Sequence, residues 1–108
     1  MATLHHQILH AVYRASERLP EAERATFGQR LRRSARQLCL ALTSLAQPRG
    51  GSSQHLVQRA LLAGAELECL LLIAEELGWL STIRTVRLID QLDGIRRQLT
   101  RSHRREAA

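Results

Sequence analysis

Lysine is absent from this chain; all sixteen of its basic residues are arginine. Aromatic side chains are scarce, with one Phe, one Trp and one Tyr in 108 residues. That scarcity excludes folds that read bases by stacking them on an aromatic sheet. Only six glycines and two prolines are present, and most stand outside the apolar runs. A sandwich or barrel of many short strands needs more of them. The two cysteines, Cys39 and Cys69, have neither metal-ligand nor redox-motif spacing. No apolar run reaches the ~18 residues of a membrane span, and no signal-peptide pattern opens the chain, so a cytoplasmic protein that does not enter membranes is expected. A glycine-rich phosphate loop, a nucleophile elbow and a metal signature are all missing. The expectation is therefore a non-enzyme with no catalytic residue, no cofactor and no metal.

What is present is helical periodicity. Thr3 is positioned as an N-cap, and Leu4, Ile8, Ala11, Val12, Ala15 and Leu19 follow on one stripe, predicting a helix over 3–19. Pro20 interrupts it, and Glu21–Arg24 reads as a polar connector or a short helical turn. Phe27, Leu31, Ala35, Leu38, Leu42 and Leu45 share one face at ~100° per residue, predicting a second helix over 26–46. Gln47 to Ser53 is the clearest loop. A third helix is predicted over 53–77, with Ser53 as N-cap and Gly78 as C-cap. Ser81 caps a fourth over 81–101, with Leu88, Leu92, Ile95 and Leu99 inward. The tail 102–108 is polar and is expected to fray. One domain over 1–108, an all-α antiparallel up-and-down four-helix bundle, is the fold expected.

The third helix is unusual. Residues 60–74 read ALLAGAELECLLLIA, with only Glu66 and Glu68 polar. A bundle helix needs apolar residues at about three positions in seven. A helix apolar nearly all round is buried from more than one side. A homo-oligomer follows, with Leu62, Leu70 and Leu71 at its contact. Leu40, opposite the second helix's core stripe, is a further contact candidate. The alternative is that this is the central helix of the bundle.

The net charge is +6 and is uneven. Residues 21–50 hold six Arg against two Glu, and residues 84–108 hold seven Arg against three acids. Residues 51–83 hold one Arg against four Glu. On the second helix Arg30, Arg32, Arg33 and Arg36 fan over the face away from its apolar stripe, with no acidic residue on that helix to pair them. On the fourth, Arg97, Arg101 and Arg105 recur every four residues beside Arg104, and Asp93 is placed to pair with Arg97. Guanidinium groups fork onto phosphate oxygens, so these eight arginines are the candidate nucleic-acid-binding residues. No base-reading motif accompanies them, so low sequence specificity is expected. An ordinary solvated face is the alternative for each arginine taken alone.

Other polar residues carry less. His6 and His10 are four apart and could share a metal, but no third ligand is evident. His5, His55 and His103 stand alone. Cys39 and Cys69 read as packed small residues. Glu66 and Glu68 lie on different sides of their helix and are no catalytic pair; Glu66 is expected to pair with an Arg of a neighbouring helix or subunit.

Two stretches, ERLPEAERATFGQRLRRSARQLCLALTSLA and QRALLAGAELECLLLIAEELGWLS, resemble the small bacterial "four helix bundle protein" family. The likeness covers about residues 4–100. Leu19-Pro20 resembles the Phe-Pro ending the family's first helix. Phe27-Gly28-Gln29-Arg30-Leu31 resembles the stretch opening its second, and Leu77-Gly78-Trp79-Leu80 the turn after its third. The family joins the accessory variability determinant (Avd) of diversity-generating retroelements to the 23S ribosomal RNA intervening-sequence protein. Arg36 to Leu42 follows the Avd pattern. Asp93 to Leu99 departs from it, replacing a Gly-Arg-Met-Leu-Gly type of ending. The resemblance implies a barrel-shaped homopentamer with a basic surface. It would bind a reverse transcriptase together with RNA or DNA and support mutagenic cDNA synthesis. Arg30 falls on the family's Gly-Gln-Arg position. Two rival expectations stand: an intervening-sequence type of nucleic-acid-binding bundle with no polymerase partner, and a scaffolding bundle whose arginines bind acidic proteins.

Overall fold

The computed structural model describes residues 3–47 and 53–107, with side chains as far as Arg101. Across these residues the chain is all α, in five helices: α1 Leu4–Ser16, α2 Glu21–Arg24, α3 Phe27–Leu45, α4 Ser53–Glu76 and α5 Thr82–Ala107. Among the described residues no helix is long and apolar enough to cross a membrane.

The local starts and stops have identifiable causes. The Thr3 hydroxyl accepts the His6 amide and caps α1. That helix ends three residues short of the predicted Leu19, because Pro20 disfavours helical backbone before it. Leu19 still lies buried in the turn. The polar connector 21–24 is a single helical turn led by Pro20 and opened by Glu21. Gly78 takes a φ of +79°, open to glycine at no steric cost. It lets the Trp79 amide reach back to the Ala74 carbonyl and its own amide to Glu75, which closes α4. Trp79 then packs edge-on against Phe27 at 5.2 Å, pinning this turn to the start of α3. The Ser81 hydroxyl accepts the Arg84 amide at 3.2 Å and caps α5. No Gly or Pro follows Leu99, and α5 runs on to Ala107 instead of fraying after Arg101.

Helices neighbour one another in the order α1, α3, α4, α5, and α5 returns to α1. Their directions alternate. Along α1, His5, Tyr13 and Ser16 meet Cys39, Arg36 and Arg32 in descending order. The five residues between Glu76 and Thr82 turn the chain back so that α5 packs on α4, and α4 and α5 are antiparallel too. The apolar stripes converge on one core: Ile8, Val12, Leu31, Leu38, Leu67, Leu71 and Leu92 are fully buried in it. Burial of this apolar surface is the main term holding the helices together. At Gly64 α4 packs on α5, and a Cβ there would meet the Leu92 side chain at 3.4 Å.

The ring leaves α1 and α4 diagonally opposite. Each therefore presents one outer face flanked by α3 and α5, and these two faces differ in chemistry.

Candidate functional site

The α1 side is basic. Of the four α3 arginines, two lean towards α1: Arg32 donates its Nε proton to Ser16 Oγ at 2.8 Å, and Arg36 donates to the Tyr13 hydroxyl at 2.8 Å. The Arg32 guanidinium also sits 5.3 Å from the centre of the Tyr13 ring, a cation–π contact. Arg30 leans the other way and pairs with Glu66 of α4 at 3.6 Å. Arg33 alone of the four is exposed with no partner among the described residues. The expectation that this arginine fan is unpaired is thus corrected for three of its four members. A helix lacking acids of its own finds partners on the helices beside it. These contacts leave charge available: the Arg32 and Arg36 partners are neutral, and the exposed Arg30 pair is screened by water, contributing about 0–1 kcal/mol.

On α5 the expected pairing changes hands. Asp93 accepts from Arg96 at 3.4 Å, not from Arg97. Arg96 also donates to the Gly64 carbonyl at 3.0 Å and forms an ion pair with Glu68. It is a structural clasp between α4 and α5, and sequence spacing carries no sign of it. Arg97 and Arg101 are exposed on α5, without ion-pair partners among the described residues, and line a shallow hollow with Asp93 and Thr100. Arg104 and Arg105 lie where side chains fall outside the described residues.

A further cluster is one that the sequence pattern does not single out. Arg14 on α1 and Arg18 in the turn after it meet Arg84 and Arg87 near the start of α5. Arg14 and Arg84 line both of two adjoining hollows of about 320 and 460 Å³. Among the described residues none of the four forms an ion pair, although Glu17 also lines the second hollow. Partial burial, and then the charges of Arg18, Arg14 and Arg87, lower the pKa of Arg84 from its ordinary value. The signal is readable in principle. In an up-and-down bundle the end of the first helix adjoins the beginning of the last, and both ends carry arginine pairs one turn apart.

The α4 side is apolar. Its outward stripe reads Leu62, Ala65, Cys69, Leu72 and Ile73, all exposed, with Leu62 at 72%. Glu66 and Glu68 flank this stripe and point opposite ways, to α3 and α5 as their different sides imply. The structure corrects two of the four contact candidates. Leu70 and Leu71 point into the chain's own core, because they share a helical face with Leu67 and Ala74. Leu62 is on the outer stripe, and Leu40 is exposed on the outer face of α3, one turn beyond Arg36.

The thiols differ as well. Cys39 is buried, donates to the His5 carbonyl at 3.2 Å, and has its pKa pushed up by burial to about 11. Cys69 is exposed on α4, not packed as its apolar neighbours suggest. His5 and His6 meet edge to face, and burial together with His6 lowers the His5 pKa. Among the described residues no cluster of three His, Cys, Asp or Glu is placed to hold a metal.

The geometry thus defines a helical bundle with one basic and one apolar side. Compared with models of known protein families, with curated proteins and with solved structures, the chain matches none of them.

Proposed function

We propose that this chain is a non-catalytic, self-associating nucleic-acid-binding bundle that acts as an accessory to a reverse transcriptase of the retroelement kind, as its resemblance to Avd proteins implies. The observation that carries the nucleic-acid part is the α1 side. Arg14, Arg18, Arg32, Arg36, Arg84 and Arg87 come from α1, the turn after it, α3 and α5, and none of them is ion-paired with an acid among the described residues. Such a face attracts phosphate backbones without reading bases.

Self-association is supported by the outer stripe of α4. Contiguous exposed apolar residues on a small protein mark contact sites. With two sides of different chemistry, the assembly faces copies of itself on α4 and polyanion on α1. Joining several copies multiplies the phosphate contacts and the avidity. A barrel of five copies is the assembly the resemblance implies.

The test is recovery of the tagged protein from its native lysate, with and without nuclease. Capture of a reverse transcriptase together with its template RNA is the expected outcome. Capture of ribosomal or mixed nucleic acid with no polymerase overturns the accessory role and leaves the intervening-sequence reading. Binding to acidic proteins alone, insensitive to nuclease, overturns both.

A further inference from the structure

We propose that the groove between the C-terminal half of α1 and the first two turns of α5 is a phosphate-binding site, with Arg14, Arg18, Arg84 and Arg87 as its ligand-binding residues. Its ligand is a phosphate oxyanion, carried on a nucleic-acid backbone or on a free di- or triphosphate. The inference rests on reading the α1 side as a polyanion surface, and it narrows that surface to one groove.

Four guanidinium groups, from α1, the turn after it and α5, converge on adjoining hollows, and Glu17 is the one acidic residue lining them. Bringing like charges together without ion pairs works against folding, and a bound anion relieves it. Arginine suits the task because its planar fork matches two phosphate oxygens at once. The groove adds neutral donors. Ser81 uses its oxygen to accept the Arg84 amide, which leaves its hydroxyl proton free, and the Gln91 amide lines the same hollow. The N-terminal dipole of α5 adds a smaller favourable field. Ala11, Ile83 and Leu88 supply apolar lining beside the charges.

The hollow beside Arg97 and Arg101 is the natural comparison. Its arginines come from one helix alone, Asp93 lines it, and Arg96 is already committed to Glu68 and Gly64. It lacks the convergence from two elements that fixes a site.

The experiment follows the arginine Nε–H resonances of the full chain during titration with sodium pyrophosphate at low ionic strength. Signals of Arg14, Arg18, Arg84 and Arg87 are expected to move first and to saturate, while those of Arg33 and Arg101 lag. Uniform drift of all arginine signals, or no movement, overturns the site. The double variant Arg84→Gln with Arg87→Gln, whose fold is checked by circular dichroism, is expected to lose the saturable response. A second arm measures binding of a short polyuridine RNA. A loss of about tenfold or more in the double variant, against about twofold or less for Arg59→Gln, an exposed change on α4, identifies the backbone phosphate as the source. Unchanged RNA affinity alongside a saturable pyrophosphate response keeps the site, assigns it to a free phosphate compound and removes it from the nucleic-acid surface. Tight RNA binding by the wild type with no response in the groove overturns the site and leaves the basic-surface reading standing elsewhere on the protein.

Discussion

The α1 and α4 sides are built from the same inward material and differ only at their outer positions. Both helices bury small and branched apolar residues, Ile8, Val12 and Ala15 on one and Leu67, Leu71 and Ala74 on the other. Outward, α1 and its flanks present arginine, whereas α4 presents Leu62, Ala65, Cys69, Leu72 and Ile73. The inner positions decide that the chain folds and leave its partner open. The outer positions select phosphate on one side and apolar surface on the other. Of the acids on α4, Glu66 and Glu68 are drawn off to the flanks by Arg30 and Arg96. Those two ion pairs help keep the middle of the α4 face free of charge.

The comparison breaks first at the inner positions. Leu71→Ala is expected to cost about 2–5 kcal/mol, since Leu71 is fully buried. In the dissociated chain Leu62→Ala should change stability by no more than about 0.5 kcal/mol, since Leu62 is exposed there. Urea unfolding of the two variants separates them, and equal losses would erase the distinction between inner and outer stripes on α4.

The next effect lies on the α1 side. Replacing Arg14, Arg18, Arg84 and Arg87 together by Gln should flatten the dependence of RNA affinity on salt by up to about 0.9 in log–log slope for each phosphate no longer neutralised. Arg59→Gln, an exposed change on α4, should leave the slope where it was. Equal effects from both would make the charge a diffuse property of the chain.

On the opposite side, Leu62→Glu with Leu72→Glu should lower the solution mass to that of one chain while the far-ultraviolet spectrum stays helical. An unchanged mass, or a wild type that is already monomeric, removes α4 from any subunit contact. Arg96→Ala should cost about 1–2 kcal/mol, more than Arg30→Ala, because Arg96 holds a backbone carbonyl and an acid in a half-buried setting. Thermal melts of the pair measure the difference.

The smallest effect is chemical. Near neutral pH a thiol reagent should modify Cys69 at once in the dissociated Leu62→Glu, Leu72→Glu variant and Cys39 only on unfolding, since burial holds Cys39 as the thiol up to about pH 11. Fast reaction of two thiols in the folded protein would place Cys39 at the surface.

Much of the fold is legible in the sequence because helical periodicity is a local signal. Leu88, Leu92, Ile95 and Leu99 read as one inner stripe, and all four are buried. Thr3, Ser81 and Gly78 act as the caps their residue types suggest. The site is less legible because charge pairing is settled across helices. Glu66 is expected to meet an Arg of a neighbouring helix, and Arg30 is that residue, but periodicity does not name it; Arg14 and Arg84 come together only once the bundle topology is laid over the sequence. The apolar run of α4 predicts burial all round, but phase alone does not say which leucines face the chain's own core. Leu70 and Leu71 do, and Leu62 does not.

The central claim is that nucleic acid occupies the α1 side and leaves α4 to protein. Photocross-linking of a short RNA to the whole protein, with the linked peptides read by mass spectrometry, tests it most directly. Cross-links concentrated on α1 and the first turns of α5 are the predicted result. Cross-links concentrated on α4 would contradict it.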